Sequence, residues 1–215
     1  HMEEHKIKFL KMAIEMNVLQ FGSFKLKSGR QSPYFFNAGV LNTGESIAAL
    51  GEGYADTIMS SNINFDMIFG PAYTGIPIAT STASALSRKY NTNKPFAYNR
   101  KEQKKHGEQG LIVGSKVEGK VLIVDDVITA GTAVKEAYQL IKSSGANVAG
   151  LVVSIDRQEI GSSDKSAIQE LQENLNIPVV SIANLQDLIN HIETSQNLIE
   201  YLSSMKRYQS KYCSI

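Results

Sequence analysis

The stretch Val121–Ala133, VLIVDDVITAGTA, joins an apolar strand to a turn that can hold an anion. Residues 121–124 are apolar and mostly β-branched, which is typical of a parallel strand covered on both faces. Asp125 and Asp126 follow at the carboxyl end of this strand, where open α/β sheets bind ligands. Residues 129–133 are small and open a helix, so their backbone N–H groups can converge on a phosphate. The stretch predicts a site for a phosphorylated sugar, with acids for the ribose hydroxyls.

Two other interpretations of this stretch remain open. The aspartates can be helix caps after an ordinary strand, because Asp is a favoured N-cap residue. One of them can also be the Walker-B aspartate of a nucleotide-binding protein. The acid pair and the TAGT turn together favour the sugar-phosphate site over simple helix caps.

The segments around this stretch alternate between strands and helices. Strands are predicted at 66–69, 96–98, 121–124, 148–155 and 179–183, and helices at 45–60, from about 77, and at 132–143, 165–175, 185–192 and 195–209. This alternation predicts an α/β fold with a central, parallel, five-stranded β-sheet flanked by helices. A helix at 3–19 and strands at 23–26 and 34–37 precede it as a small N-terminal α+β hood.

Composition excludes several classes of protein. The 215 residues carry 22 Lys+Arg against 21 Asp+Glu, a net charge of +1, which argues against a protein that coats nucleic acid. The single cysteine, Cys213, cannot form an internal disulfide or a Cys-rich zinc site. No apolar run reaches the roughly 18 residues of a membrane span, and no signal peptide is visible. We therefore expect a cytoplasmic protein without nucleic-acid or membrane partners.

Two further segments suit a charged ligand. Gly70 and Gly75 in FGPAYTG have P-loop spacing, but Ile76 stands where the lysine should be, so the Walker A interpretation fails. A tight Gly/Pro loop still allows close backbone approach to a ligand, although it can be an ordinary turn. Residues 100–110, RKEQKKHGEQG, place five basic groups within seven residues. They form either a solvated face or a mobile loop that closes over an anionic substrate.

These motifs together resemble a known family. VLIVDDVITAGTA is similar to the phosphoribosyl-pyrophosphate (PRPP) signature of type I phosphoribosyltransferases. With FKLKSGRQSPYFFNAG, FDMIFGPAYTGIPIAT, NRKEQKKHGE and SIDRQE, the chain resembles the bacterial orotate phosphoribosyltransferases from Phe21 to about Leu188. The resemblance implies transfer of the phosphoribosyl group of PRPP to orotate, which gives orotidine 5′-monophosphate and pyrophosphate in pyrimidine synthesis.

The resemblance also implies an organisation for the chain. It predicts a single phosphoribosyltransferase domain over residues 1–215. Within it lie a hood at about 3–40, a PRPP-binding core at about 44–190, a mobile catalytic loop at 100–110 and a C-terminal helix at 191–215. The family further implies Mg²⁺ bound mainly through PRPP and pyrophosphate, and a homodimer in which loop residues are shared between subunits.

Site residues follow from the same resemblance. The implied catalytic residues are Arg100, Lys101, Lys104 and His106. The implied PRPP-binding residues are Lys27, Tyr73, Thr74, Arg100, Lys101, Lys104, His106, Asp125, Asp126, Val127, Ile128, Thr129, Ala130, Gly131, Thr132 and Ala133. The implied orotate-binding residues are Phe35, Phe36, Thr129 and Arg157, with the arginine on the orotate carboxylate.

The sequence departs from the family pattern at three positions. Thr74 stands where the family usually has lysine, which removes a cation near the pyrophosphate. Lys105 replaces a commonly acidic residue, and Gln109 replaces a frequent glycine. Two alternative functions remain: a phosphoribosyltransferase for another base, and a non-catalytic regulator that senses PRPP and binds nucleic acid. The KSGR and PYFFN segments and the balanced charge count against them.

Overall fold

The structure is a computed structural model that describes residues 2–102, 110–161 and 163–213. Its N-terminal part forms the hood, in which helix α1 (Glu4–Glu15) precedes an antiparallel pair of strands, β1 (Leu19–Lys25) and β2 (Gln31–Phe36). The remaining chain alternates strands and helices. The strands are β3 (Met67–Gly70), β4 (Phe96–Asn99), β5 (Ile112–Gly114), β6 (Lys120–Val124), β7 (Asn147–Asp156) and β8 (Val179–Asn184). The helices are α2 (Gly44–Ser61), α3 (Gly75–Tyr90), α4 (Thr132–Ser143), α5 (Ala167–Leu175), α6 (Leu185–Glu193) and α7 (Leu202–Tyr212).

One sheet in the order β5-β4-β3-β6-β7-β8 organises this part of the molecule. Five neighbouring strands are mutually parallel, namely β4, β3, β6, β7 and β8, whereas β5 pairs antiparallel with β4. The predicted parallel five-stranded core is therefore confirmed, and the edge strand β5 was missed. Only three residues form β5, and Ile112 of this strand pairs with Asn99 of β4. The sequence between these two residues is polar and shows no strand periodicity, so it does not predict the strand.

The two faces of the sheet bury separate apolar cores. Leu122 and Val124 of β6 face a core shared with α1, α2, α3 and α6. Val121 and Ile123 face the opposite core, which is shared with α4 and α5. All four side chains are fully buried, and burial of each contributes about 1.5–3 kcal/mol. This two-sided burial explains why the strand is apolar without alternation, and it confirms an α/β fold with helices flanking the sheet.

Local capping signals determine where several helices begin and end. Thr43 and Ser46 form a reciprocal capping box at the start of α2, and Ser166 with Gln169 does the same for α5. Helix α2 ends at Asn62, which adopts a left-handed conformation with φ of 59°. Asparagine tolerates this conformation better than most residues, because its short polar side chain can bond locally.

The predicted boundaries at the two ends of the chain were wrong. The predicted helix 3–19 ends earlier, because Asn17 takes a left-handed φ of 59° and β1 begins at Leu19. The predicted strand 34–37 begins earlier, since β2 starts at Gln31. Near the C-terminus, the predicted helix 195–209 is a short 3-10 turn at Ile199–Tyr201 followed by α7. Apolar periodicity continues across such turns, so it cannot mark them.

Candidate functional site

Two adjacent carboxyl groups lie at the carboxyl end of β6. Asp125 is 7% exposed, and its Oδ1 accepts hydrogen bonds from Thr74 Oγ1 at 3.1 Å and from the Asp126 backbone N–H at 2.9 Å. Burial raises the pKa of Asp125. Burial, and then the negative charge of Asp125, raises the pKa of Asp126 to about 6. Asp126 Oδ1 is buried without a hydrogen-bond partner among the described residues. A ligand that donates hydroxyl groups here would supply the missing bonds.

A buried tyrosine supports this acid pair from behind. Tyr54 of α2 is fully buried, and its hydroxyl donates to the backbone carbonyl of Asp125 at 2.6 Å. The same hydroxyl shares a 2.6 Å hydrogen bond with Ser154 Oγ of β7. The Ser154 N–H in turn donates to the carbonyl of Asp126 at 2.9 Å. The backbone of both aspartates is thereby fixed to α2 and β7.

The N-terminus of α4 lies a few residues beyond the acids. Gly131 precedes the helix with a left-handed φ of 75°, and no side chain caps it. The first-turn N–H groups and the helix dipole are therefore available to an anion. Thr129, Ala130 and Thr132 are exposed around this end, whereas Val127 and Ile128 are partly buried. These residues form a cradle suited to a phosphate group.

A tight loop joins β3 to α3 beside the acid pair. A Cβ atom on Gly70 would lie 2.1 Å from the carbonyl oxygen of Gly75, so glycine is needed at this close backbone approach. The Ala72 N–H donates to Asn99 Oδ1 at the end of β4, at 2.8 Å. This loop leaves Tyr73 66% exposed. It presents Thr74 to Asp125 and Tyr73 to solvent.

Two predicted cationic residues follow β4. The Arg100 N–H donates to the carbonyl of Leu111 at 2.7 Å, and the side-chain NH1 donates to the carbonyl of Gly110 at 3.2 Å. Lys101 Nζ lies 5.2 Å from the ring centroid of Tyr73. The structure therefore brings the start of the basic segment to the β3–α3 loop. The predicted residues Lys104 and His106, together with Lys105, lie outside the described residues.

Three of the four predicted orotate residues lie where the end of β7 meets the hood, whereas Thr129 lies at the N-terminus of α4. Arg157 follows β7, and its NH2 donates to Ser32 Oγ at 2.9 Å while its guanidinium lies 4.0 Å from the ring centroid of Tyr34. Phe35 is 38% exposed and stacks on Phe24 with ring centroids 5.7 Å apart.

The other two hood residues differ in environment. Phe36 is buried and packs against Phe9 of α1, so its ring belongs to the core. Lys27 is exposed at the tip of the β1–β2 hairpin. Of the two phenylalanines, Phe35 is therefore the one whose ring can contact a ligand.

Comparison with known proteins is consistent with this geometry. Residues 38–182 match the family model of the phosphoribosyl transferase domain. The orotate phosphoribosyltransferase of Vibrio cholerae is 51% identical over 211 residues, covering 98% of this chain and 99% of the relative. That of Pseudoalteromonas translucida is 49% identical with the same coverage. The crystal structure of orotate phosphoribosyltransferase from Francisella tularensis has a TM-score of 0.87 at 42% identity, covering 96% of this chain and 99% of that one.

The chain belongs to the orotate phosphoribosyltransferases. The resemblance predicted from the sequence motifs is thereby confirmed, as are the type I phosphoribosyltransferase fold and the classification as a pentosyltransferase. In the part of this orotate phosphoribosyltransferase that the structure describes, no helix has both the length and the apolar character needed to cross a bilayer.

Several residues of the site were missed by sequence reasoning. Tyr54 was missed because its spacing from Leu50 and Ile58 indicates only an apolar stripe on α2, although a buried tyrosine hydroxyl usually has a partner. Asn99 was missed although it directly precedes the basic segment at a strand end. Ser154 opens the SIDRQE motif, but it was given no role because a serine within an apolar strand has no characteristic spacing. Glu159 lies in the same SIDRQE motif as Arg157 but was given no role. Tyr208 lies 51 residues further along the chain and in no motif.

Proposed function

We propose that this orotate phosphoribosyltransferase binds PRPP at the carboxyl ends of β3 and β6, and orotate between β7 and the hood. The family's reaction transfers the phosphoribosyl group to N1 of orotate and releases pyrophosphate. The observation that carries the proposal is the acid pair of buried Asp125 and partly buried Asp126 beside the uncapped N-terminus of α4.

In this proposal the cradle at 127–133 holds the 5′-phosphate, and the two aspartates hold the ribose hydroxyls. The helix N-terminus supplies partial positive charge and backbone donors, with hydroxyl donors from Thr129 and Thr132. Each carboxylate would accept a hydrogen bond from a ribose hydroxyl, and bonds to charged acceptors are the stronger kind. Asp126 Oδ1, which is buried and unpartnered in the described structure, supports this assignment.

The pyrophosphate would lie against the β3–α3 loop. Tyr73 and Thr74 present donors there, and Arg100 and Lys101 supply positive charge from the end of β4. Lys104 and His106 remain predictions from the resemblance. Lys27, at the hairpin tip, is the proposed contact from the hood to PRPP. Cations around the leaving group would stabilise the negative charge that develops on it.

Orotate would be held through its carboxylate and its ring. Arg157 can pair with the carboxylate, since a guanidinium offers several donors in one plane. Phe35 has an exposed ring for the pyrimidine, whereas Phe36 would contribute through its backbone. Thr129, near the ribose, would face orotate as well.

The chemistry proposed needs no covalent nucleophile. The carbon C1′ would pass through a loose, oxocarbenium-like transition state while the residues above hold both reactants in line. Fixing two substrates in one geometry supplies a large part of the acceleration. The hood and the basic segment would exclude water, which would otherwise compete with N1 of orotate.

Mg²⁺ is the proposed cofactor, and the residues present fit it. No cluster of three ligating side chains occurs within residues 2–102, 110–161 and 163–213. One or two carboxylates plus substrate oxygens and water are a usual environment for this ion. Asp125 and Asp126 are the residues that would hold it, through water and the ribose hydroxyls. When bound, the ion would neutralise charge on the departing pyrophosphate.

We also propose a homodimer that uses a groove between α2 and α3. Ile47, Ala48, Pro77 and Ala85 line this groove, with charged residues at its rim. An exposed apolar surface of this kind suits a partner of the same chain. Loop residues, Lys101 among them, would then act in the neighbouring subunit's site.

We further propose a single domain and a cytoplasmic location. A single domain over residues 1–215 is supported by the core that joins the hood to the sheet, for example through Phe36 and Leu122. A cytoplasmic location is supported by the substrates, which are intracellular metabolites. Fractionation of cells that express the protein would test it.

The function is tested by mixing the protein with PRPP, Mg²⁺ and one base at a time. Orotate, uracil and hypoxanthine are the three bases, and the measured quantity is pyrophosphate release. We expect release with orotate and little with the other two. The variant with Asp125→Asn and Asp126→Asn should bind PRPP more weakly by calorimetry, because amides accept ribose hydrogen bonds less strongly. Release with hypoxanthine alone would contradict the proposal.

A further inference from the structure

The guanidinium of Arg157 is bound on two of its three nitrogens. Both Nε and NH2 lie 2.8 Å from Glu159 Oε1, and NH2 also donates to Ser32 Oγ at 2.9 Å. The central carbon of the group lies over the ring of Tyr34, 4.0 Å from its centroid. NH1 has no hydrogen bond or ion pair to any residue in the described part of the chain. The arginine is therefore oriented by its neighbours, with one nitrogen left for a ligand.

Glu159 is itself held by the C-terminal helix. Tyr208 of α7 donates its hydroxyl to Glu159 Oε1 at 2.6 Å, and it lies 3.5 Å from Arg157 NH2. Tyr208 is 4% exposed, and its ring meets the Tyr34 ring edge-on with centroids 6.3 Å apart. Burial, followed by the contact with Glu159, raises the pKa of Tyr208, so its hydroxyl remains a donor at neutral pH.

The end of α7 is attached to the segment that carries Arg157. The Ile160 N–H donates to the carbonyl of Tyr212 at 2.8 Å, and Glu159 pairs with Cys213 in an isolated β-bridge. Cys213 Sγ lies 3.6 Å from the carbonyl oxygen of Arg157. These contacts fix the distance between Tyr208 and Glu159, although 49 residues separate them in sequence.

We propose that Tyr208 and Glu159 are positioning residues for recognition of the orotate carboxylate. Tyr208 fixes Glu159, and Glu159 fixes Arg157 so that NH1 is available to the substrate. A free arginine side chain would lose rotamer freedom on binding, and prior orientation removes that cost. The inference deepens the proposed function and rests on the assignment of Arg157 to orotate.

The experiment compares Tyr208→Phe with the matched control Tyr212→Phe. Both variants remove one hydroxyl from α7, but the Tyr212 hydroxyl has no hydrogen bond to a described residue, and its ring still meets Arg30. Three constants are measured: the KM for orotate, the KM for PRPP, and the inhibition constant of uracil, which lacks the carboxylate. We expect Tyr208→Phe to raise the KM for orotate by roughly tenfold or more, in line with loss of a hydrogen bond to a charged group. In Tyr208→Phe the KM for PRPP and the inhibition constant of uracil should stay unchanged. In Tyr212→Phe all three constants should stay unchanged.

A second pair of variants keeps the test independent of Tyr208. Glu159→Ala should raise the KM for orotate at least as much, and Glu159→Gln should restore part of the loss because its amide oxygen still accepts. A parallel rise of all three constants would show a merely structural role and overturn the proposal. Tighter orotate binding in Glu159→Ala would also overturn it, because Glu159 would then be a competitor of the substrate. If the unmodified protein released no pyrophosphate with orotate, the proposed function itself would fail, and this inference with it.

Discussion

Asp125 and Asp126 place two carboxyl groups side by side in a largely buried site. Neither is neutralised by a cation among the described residues. Burial and mutual repulsion raise the pKa of Asp126 to about 6, so the charged form is less stable in the folded protein than in the unfolded chain. Such a cost is common where side chains are arranged for a ligand rather than for stability.

Replacing one of these acids should stabilise the protein without ligand. For Asp126→Asn we expect the free energy of unfolding at pH 7.5 to rise by about 1–3 kcal/mol, since one pKa unit corresponds to about 1.4 kcal/mol. The affinity for PRPP should fall at the same time. Chemical denaturation and calorimetry measure the two effects. Glu136→Gln, an exposed change on α4, should leave both quantities unaltered.

The difference in the free energy of unfolding between Asp126→Asn and the unmodified protein should depend on pH with a definite sign. The folded-state pKa of Asp126 lies above the ordinary 3.8, so the folded protein binds the proton more tightly than the unfolded chain does. The stabilising effect of Asp126→Asn should therefore be full above pH 6 and shrink as the pH falls from about 6 towards 4. A difference that is constant over this range would contradict the assigned cause.

Thr74 is the second residue with a testable consequence. Its hydroxyl donates to Asp125, whereas the family usually has lysine at this position. A charge-assisted bond contributes about 1.5–3 kcal/mol, so Thr74→Lys should tighten pyrophosphate or PRPP binding by roughly tenfold or more. Thr74→Val, which removes the hydroxyl without adding charge, should not tighten it. Unchanged affinity in Thr74→Lys would mean that another cation, such as Lys105, already supplies this contact.

At the scale of elements, the β3–α3 loop depends on backbone contact. Gly70→Ala would place a methyl group 2.1 Å from the carbonyl oxygen of Gly75 and 2.8 Å from the Cβ of Ala79. We expect a loss of about 2 kcal/mol or more in the free energy of unfolding, because backbone must move to make room. Binding of pyrophosphate should weaken too, since Tyr73 and Thr74 move with the loop.

The matched control for this change lies at the start of α2. Gly44 has open space around an added Cβ, so Gly44→Ala should be neutral or slightly stabilising. Both variants are compared by urea denaturation and by calorimetry with pyrophosphate. Equal stability of Gly70→Ala and the unmodified protein would show that the loop relaxes without cost.

At the scale of the whole molecule, the proposed dimer predicts complementation between inactive chains. Lys101→Ala and Asp125→Asn chains, once mixed, should form hybrid dimers that hold one site with both native residues. With random exchange of subunits, about a quarter of the unmodified activity should return. Pyrophosphate release with orotate measures it. No recovery despite proven exchange would mean that Lys101 acts within its own chain.

The groove between α2 and α3 supplies the control. Ser84 lines it, and Ser84→Arg in both chains should prevent the recovery because a charge would be buried between subunits. Ser203→Arg, on the exposed surface of α7, should not. Light scattering should find monomers only for the Ser84 variant.

The sequence alone determined the parallel core, the acid pair and the phosphate turn. These features depend on contacts within a few residues: a β-branched apolar run forms a strand buried on both faces, and a glycine with small neighbours opens a helix end. Family motifs extended the prediction to Arg157 and Tyr73 and to the activity of the family. For Phe36 the motif gave an incomplete result, because its ring is part of the core.

Only the tertiary structure decided what surrounds these residues. The hydrogen bonds from Tyr54 to Asp125, from Thr74 to Asp125 and from Tyr208 to Glu159 join residues that are 71, 51 and 49 positions apart. The edge strand β5 was likewise not predicted, because only its pairing with β4 defines it as a strand. Such contacts form only when separate elements pack together. The residue pattern of one segment does not predict which side chains of another segment it will contact. Interactions between residues close in sequence therefore determined strand β6 and the turn at 129–133. Packing of distant elements decided the environment that orients Arg157 and raises the pKa of Asp126.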